Sequence, residues 1–453
     1  MGKEKQMTGE KIKLPRKVQH IIEALESGGY EAYAVGGCIR DSLLGRKPQD
    51  WDITTSAKPE EVKKIFKRTV DTGIQHGTVT VLLENEGFEV TTYRIDGKYE
   101  DGRHPKEVVF TPNLKEDLKR RDFTVNAMAY SEKEGLIDLF DGAGDLERGR
   151  IRCVGDAKER FREDALRMMR AVRFGAQLGF SIEENTKKAI RALASSLSKI
   201  SAERIQMELV KLLVSDNPQE VRTLYETGLT TVFLPEFDAM MATEQNNPHH
   251  KYTVGEHTIV SLTHVRGEKV LRLAMLFHDV AKPVCITRDE EGIHHFHGHP
   301  GVGSEMTRKI LRRLKFDNDT VQRVCALVAG HDDNPPATLR NVRRAMVRIG
   351  PGAFPHIFEV KRADILAQSS FKQQEKLEYL KEFESCYREI TESRQCLSIK
   401  ELAVNGRDLM EIGIPAGPGL GEVLSHLLDL VIEEPEKNTR EYLLHTAKEY
   451  SIL

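Results

Sequence analysis

The stretch Gly36-Gly37-Cys38-Ile39-Arg40-Asp41, followed by Leu44-Gly45 and then Asp50-Trp51-Asp52-Ile53-Thr54, decides how this chain is read. Glu31–Val35, just before it, is short and apolar enough to read as a strand. The glycine pair ends that strand in a turn where a phosphate can approach the backbone. The helical stretch Cys38–Leu44 then offers a positive N-terminal end to negative charge. Arg40 stands one turn into that helix, where its guanidinium can fork onto a triphosphate oxygen. The segment 50–54 reads as a second strand, so Asp50 and Asp52, two residues apart, share a face. Parallel carboxylates suit one or two magnesium ions, hard cations that take oxygen ligands, lower the charge on a triphosphate and activate an attacking hydroxyl. A lone Gly-Gly is usually a turn, and a lone Asp-x-Asp is usually a surface pair. The signal lies in their order.

Working outward, Val18, Ile21, Ile22 and Leu25 recur at helical spacing, predicting an amphipathic helix over 14–29. A further helix is expected around 59–67, with strands at 77–84 and 87–95, so the chain to about residue 150 is mixed helix and sheet. Beyond 155 the pattern is helical: 158–178, 183–194, 202–215, 217–227 and more, with breaks at Pro235, Pro248 and Pro335-Pro336. The fold class is therefore α+β, a mixed head on an all-α remainder.

At 453 residues the chain exceeds one hydrophobic core, and roughly three domains is the expectation from length. No apolar run reaches the ~18 residues of a membrane helix, and the lysine-rich N-terminus lacks a secretory apolar core. Six scattered cysteines without a C-x-x-C pair read as reduced thiols, placing the protein in the cytoplasm. A net charge of −3 means that any nucleic-acid surface must be a local patch. Lys119-Arg120-Arg121, the arginines from 160 to 173, and Arg340, Arg343, Arg344 and Arg348 are candidates, though each taken singly reads more readily as a solvated helix face.

The segment from Gly36 to Thr54 resembles the signature of the DNA polymerase beta-like nucleotidyltransferase superfamily, in its tRNA nucleotidyltransferase and poly(A) polymerase branch. The resemblance implies that Asp50 and Asp52 are the catalytic Mg²⁺ ligands, with Gly37 and Arg40 at the nucleotide. It also implies a third acidic residue on a neighbouring strand, for which Glu89 is the candidate; an outward-facing strand residue is an equally good reading. The run from Arg120 to Tyr130, R-R-D-F-T-V-N-A-M-A-Y, is similar to that branch's second motif. Carried over, Arg121 contacts the phosphates, while Asp122 and Asn126 recognise the ribose 2′-hydroxyl.

In Arg162–Phe174, the residues Asp164, Arg167, Arg170 and Arg173 recur every three positions. Spacing alone predicts one exposed helical stripe with an Asp164–Arg167 pair of about 0.3–0.5 kcal/mol. Class II tRNA nucleotidyltransferases, which this region resembles, carry a Glu-Asp-x-x-Arg motif that templates the incoming base. Cytosine and adenine share an exocyclic amine beside an unprotonated ring nitrogen. A carboxylate accepts from the first and a guanidinium donates to the second, whereas uracil and guanine present the opposite pattern. The resemblance thus assigns base selection to Asp164 and Arg167, and phosphate or base contacts to Arg170 and Arg173. It implies addition of CCA to tRNA from CTP and ATP. Addition of A alone and poly(A) synthesis are the alternatives. The intact polar segment 94–105 is similar to the family's mobile lever and speaks against addition of CC alone.

Further along, His257, His278-Asp279, His299, His331 and Asp364 follow one another on a helical background. The order resembles the HD phosphohydrolase superfamily and implies metal ligation by His257, His278, Asp279 and Asp364, with His299 and His331 available for a second ion. Two readings stand: a metal-dependent phosphodiesterase or phosphatase, or a packing module without chemistry. His294-His295-x-His297 reads as an exposed loop. The tail motif 405–421 reads either as a phosphate-accepting turn or as a plain loop. The expected organisation is a head at 1–150, a neck and body at 151–245, an HD-like domain at 246–370 and a helical tail at 371–453.

Overall fold

The computed structural model of the chain describes residues 12–96 and 108–452, so from residue 97 onward the expected lever segment lies outside the described residues. The chain divides into two compact units, Met1–Pro235 and Glu236–Leu453.

The first unit opens with α1 (Arg16–Ser27), whose Val18, Ile21, Ile22 and Leu25 are buried as their spacing requires. There follow β1 (Ala32–Val35), α2 (Gly37–Leu43), β2 (Ile53–Thr55), α3 (Pro59–Ile65), β3 (Thr69–Gly73), β4 (Thr78–Leu83) and β5 (Glu86–Thr92). Next come β6 (Arg94–Asp96), β7 (Val108–Phe110), α4 (Leu114–Lys119), β8 (Met128–Ser131), β9 (Gly135–Asp138), α5 (Gly142–Glu147) and β10 (Arg150–Ile151). Seven strands form one sheet in the order β3-β4-β5-β2-β1-β8-β9. Its neighbours are antiparallel except β2 and β5, which run parallel with Ile53 opposite Val90. The β4–β5 hairpin closes with Leu83 opposite Glu86. Its two loop residues, Glu84 (φ 47°) and Asn85 (φ 68°), are both left-handed, as the tight turn that matches strand twist demands.

Asp50 and Asp52 precede β2 instead of lying within the strand expected at 50–54, because only Ile53–Thr55 makes regular ladder pairs. Asp52 is nevertheless tethered to the sheet, its carbonyl accepting from Val35 N at 2.9 Å.

Helices then take over: α6 (Ala157–Glu163), α7 (Leu166–Leu178), β11 (Ser181–Ile182), α8 (Glu184–Leu193), α9 (Ala202–Leu213), α10 (Val221–Glu226) and α11 (Thr230–Phe233). The single helix expected over 158–178 is two. Asp164 leaves helical geometry (φ −143°, ψ 106°), and its Oδ1 accepts from Leu166 N at 2.9 Å to cap α7. That break removes the i, i+3 ion pair between Asp164 and Arg167.

The second unit contains α12 (Pro235–Ala242), α13 (Val254–Leu262), α14 (Lys269–Phe277), α15 (Lys282–Cys285), β12 (Thr287–Arg288), β13 (His294–His295), α16 (His299–Arg313), α17 (Asn318–Gly330), α18 (Leu339–Ile349) and α19 (Phe354–Ala367). It ends with α20 (Gln373–Glu392), α21 (Gly406–Glu411), α22 (Pro418–Glu433) and α23 (Arg440–Ile452). The apolar α14 is buried along its whole length after Lys269 and packs against α13, α17 and α19. A separate small core of Leu409, Leu427, Val431 and Leu443 holds the last helices together.

Two expectations change in this unit. His294-His295 forms a short strand, and His294 is buried with its Nδ1 3.0 Å from Glu244 O. On the basic α18 only Arg343 turns inward, donating to Ile432 O and Gln395, while Arg340, Arg344 and Arg348 stay exposed as expected and pair with Glu433, Glu433 and Asp333. In the tail motif Asn405 caps α21, its Oδ1 accepting from Arg407 N at 2.9 Å.

Candidate functional site

In the head, the turn after β1 brings a glycine and an arginine together. Gly36 has φ +86°, and a Cβ there would lie 3.0 Å from Arg121 Nη1. Only glycine meets both the conformation and the close approach. On one side of the turn are Asp50 and Asp52. The parallel register that sets Ile53 against Val90 puts Glu89 beside Asp52. All three carboxylates are open to solvent, lining the walls of a cleft of about 640 Å³ with Lys17, Lys47 and Trp51. A second cleft of about 570 Å³ takes in Gly37, Arg40 and Asp41 and shares Asp50 and Asp52.

The carboxylates feel one another. Desolvation by the cleft walls raises the Asp52 carboxyl most, Asp50 adds to the rise, and Arg121 opposes it. Glu89 is raised by desolvation and then by the charges of Asp52 and Asp50. The three acids line one cleft and offer oxygen atoms of the kind a hard divalent cation takes.

Behind the clefts runs a chain of paired polar groups. Arg40 donates to Asp41 Oδ1 at 2.9 Å and to Asn126 Oδ1 at 2.7 Å. Asn126 Nδ2 donates to Asp122 Oδ1 at 3.1 Å. Asp122 Oδ2 accepts from Arg170 Nε at 2.8 Å and Nη2 at 2.5 Å. Burial alone would lift the Asp122 carboxyl, yet the charges of Arg170 and Arg167 hold it well below the usual carboxylate range. The guanidinium carbons of Arg40, Arg170 and Arg173 lie 5.1, 5.3 and 3.6 Å from the Phe174 ring centroid. Its π-face separates three like charges.

The neck residues divide differently from their spacing. Asp164 pairs with Arg204 of α9 at 2.7 Å. Arg167 Nη1 meets Glu163 Oε2 at 2.5 Å, and Arg167 also donates to the carbonyls of Arg160 and Arg120. Arg173, expected at phosphate or base, is buried and pairs with Glu208 at 2.7 Å and with Gln177. Arg204, Glu208, Phe174 and Asp117 were not found by reading the sequence. Glu208 alone left a trace there, as an acid on the otherwise apolar face of Ile205, Leu209 and Leu212.

In the second unit, the histidines and aspartates picked out by sequence come together. Among the described residues, three potential ligand atoms gather within 4.8 Å in two groups: His257, His278 and Asp279; and Asp279, His299 and His331. Asp279 Oδ2 lies 3.3 Å from His278 Nε2, while Oδ1 lies 3.4 and 3.5 Å from His299 and His331 Nε2. Asp364 Oδ1 is 2.9 Å from His257 Nε2. The Nδ1 atoms of His278, His299 and His331 lie 2.8, 2.8 and 2.7 Å from the carbonyls of Met275, Phe296 and Val328. A carbonyl can only accept, so each Nδ1 carries the proton and each Nε2 presents a lone pair. The Nε2 atoms of His299 and His331 are 3.2 Å apart. Both ring nitrogens thus face the same side as Asp279 Oδ1. A cavity of about 480 Å³ adjoins the cluster, lined also by Lys282, His250, His295 and His297.

Residues 32–152 match the Poly A polymerase head domain family. Residues 179–241 match the family described as "Probable RNA and SrmB-binding site of polymerase A", and residues 286–447 match tRNA nucleotidyltransferase domain 2. A CCA-adding enzyme of Latilactobacillus sakei subsp. sakei is 38% identical over 430 residues, covering 94% of this chain and 96% of that one. The match to a CCA-adding enzyme of Lactiplantibacillus plantarum is 55% identical over 225 residues and spans 50% of this chain and 54% of that protein. The crystal structure of a Bacillus stearothermophilus CCA-adding enzyme in complex with CTP superposes with a TM-score of 0.72 at 34% identity, covering 97% of this chain and 98% of that one.

The Asp122–Arg170 pair sets a pH signature. Because the folded Asp122 carboxyl lies below its unfolded value of about 3.9, its contribution to stability is present above that value and lost as pH falls through the folded one. Arg170→Leu leaves the buried carboxylate to the charge of Arg167 and the Asn126 and Phe123 N–H bonds, and should cost about 3–5 kcal/mol at pH 7. Losing the nearest positive charge raises the carboxyl's pKa, so protonation relieves the deficit as pH falls. Urea unfolding at pH 7 and pH 5 should show a smaller deficit at pH 5, and an equal deficit at both would contradict the assignment.

Proposed function

The chain belongs to the CCA-adding enzyme family, and from that premise we propose that it adds CCA to the 3′ end of tRNA from CTP and ATP. The observation that carries the reading is the meeting of three acidic groups, Asp50, Asp52 and Glu89, in one cleft, with a second cleft that shares Asp50 and Asp52 and takes in Gly37 and Arg40. The RNA 3′-hydroxyl attacks the nucleotide α-phosphate, forming a phosphodiester as the bond to pyrophosphate breaks. Asp50 and Asp52, with Glu89 beside them, would hold Mg²⁺, which when bound lowers the charge of the triphosphate and of the leaving pyrophosphate. Arg121, against Gly36, and Arg40, beside Gly37, neutralise phosphate oxygens, and Asp122 with Asn126 meets the ribose. The work belongs in the cytoplasm, and no helix among the described residues is long and apolar enough to cross a membrane.

Base choice falls to Asp164 and Arg167. The Arg204 and Glu163 contacts fix both groups before a nucleotide arrives. A carboxylate held in this way accepts from the amine of C or A, and faces a carbonyl oxygen in U or G at a cost of about 1–3 kcal/mol. The functional division proposed is a head to about residue 150, a neck and body to 245, the histidine-bearing helices to 370 and a tail beyond.

A second reading is favoured by the gathering of potential ligand atoms around Asp279: the second unit holds a divalent transition metal on His257, His278, Asp279 and Asp364 and hydrolyses phosphate esters. Asp279, His299 and His331 would take a second ion. Imidazole and carboxylate donors of this kind suit Mn²⁺, Ni²⁺ or Co²⁺.

Three experiments test these readings. Transcripts of tRNA ending before CCA, after C and after CC, incubated with Mg²⁺, CTP and ATP, should grow to the full CCA end and stop. Growth only from the CC end would make the chain an A-adding enzyme, and full activity in Asp52→Ala would refute the site. Asp164→Ala should raise UTP and GTP use relative to CTP and ATP by about 5- to 100-fold; unchanged discrimination would remove Asp164 from base reading. Elemental analysis after incubation with Mn²⁺, Ni²⁺ or Co²⁺ should find metal that His278→Ala loses while CCA addition persists. A chain that holds none at this cluster and hydrolyses no phosphodiester would sink the second reading.

A further inference from the structure

Asp117 of α4 is fully buried, yet it reaches both halves of the head site. Its Oδ2 accepts from Thr54 Oγ1 at 3.1 Å, two residues beyond Asp52 on the same strand segment. Its Oδ1 receives Arg120 Nε at 2.9 Å and Nη2 at 2.8 Å. Arg121 Nη2 stands 3.6 Å from Oδ2. The same Arg121 lies against the Gly36 turn with Nη1, and its buried Nε has no hydrogen-bond partner among the described residues. Val35, the residue before that turn, donates to the Asp52 carbonyl at 2.9 Å, so the turn on which Arg121 packs is bonded directly to Asp52. One guanidinium therefore has a sealed carboxylate behind it and lies on the turn that borders the open one.

An arginine and a divalent cation compete for the same carboxylate oxygens. Which of them Asp52 receives depends on what else the arginine can hold. Asp117 keeps its charge because Arg120 holds Oδ1, and Oδ2, which takes only the Thr54 hydroxyl, stays open to the Arg121 guanidinium. It is thus a permanent competitor for Arg121.

We propose that Asp117 is a positioning residue of the transfer reaction, anchoring Arg121 against the Gly36 turn and so keeping it from closing onto Asp52, where it would displace the cation. The proposal rests on reading Asp52 as a metal carboxylate. Through Thr54 the same carboxylate fixes the strand that Asp52 leads into, so one group holds both the arginine and the segment of the acid.

The test is Mn²⁺ binding to the nucleotide-free full chain, followed by electron paramagnetic resonance, with Asp52→Ala defining the head's share. Asp117→Asn should weaken that share about tenfold and raise the Mg²⁺ concentration for half-maximal CCA addition in parallel. Adding Arg121→Gln to Asp117→Asn should return Mn²⁺ binding to the wild-type level, because the competitor is gone, although turnover stays low. A merely structural role would leave the double variant as weak as the single one or weaker. Asp117→Ser, which leaves room for water beside the two arginines, serves the same test should Asp117→Asn not fold. Unchanged Mn²⁺ binding in the folded Asp117 variant, or no recovery in the double variant, overturns the proposal. If Asp52→Ala loses no Mn²⁺ at all, the metal-carboxylate reading itself fails, and that result is distinct from the other two.

Discussion

A buried carboxylate must be answered by a charge, and in the first unit Asp122 is answered by Arg170. The acid comes from the head and the arginine from α7, so the pair crosses between the sheet and the helices that follow it. Removing either partner strands the other in a low-dielectric interior, a penalty of several kcal/mol that few local contacts can offset. The neighbouring groups follow from that pairing. Asn126 is turned by its bond to Asp122, Arg40 by its bond to Asn126, and Phe174 lies where it shields the arginines from one another. The polar groups behind the cleft are thus set by contacts among themselves.

The same constraint explains why a chain with 67 basic residues and a net charge of −3 does not simply display its arginines. Arg173 with Glu208, Arg152 with Asp145 and Arg343 with the Ile432 carbonyl are ties inside the protein. Planar forks that bond several acceptors at once make such ties worth their desolvation. A basic run in the sequence therefore says that charge is present. It does not say which way the charge faces.

That distinction marks how far the sequence could be read. The architecture was legible because its signals are local: the helical spacing of Val18 to Leu25, the strand before Gly36, and the change from mixed to helical periodicity after residue 155. The residues of the cleft and of the histidine cluster were legible because chemistry restricts their types, and the structure brings each set together. The partners of those residues were not legible. Asp164 and Arg167 have ion-pair spacing, yet α6 ends at Glu163, and Asp164 turns to an arginine 40 positions away. Asp117 was invisible for the same reason: its partner Thr54 is 63 residues distant, and no periodicity encodes such a contact.

The two-residue turn at Glu84-Asn85 has a consequence of its own. In a strand, side chains alternate faces, so a one-residue slip inverts every position that follows. Glu89 lies only four residues beyond Asn85, on the strand that runs parallel to the one after Asp52. The turn therefore works as a ruler, and its length fixes whether an acid or an apolar side chain meets the cleft. Most exposed loop tips tolerate insertions during divergence. Here the register matters more, because a one-residue shift in the strand beyond the turn would exchange an acid for an apolar side chain at the cleft. Length here should be held constant by selection, while the identities of the two loop residues drift among those that accept a left-handed backbone.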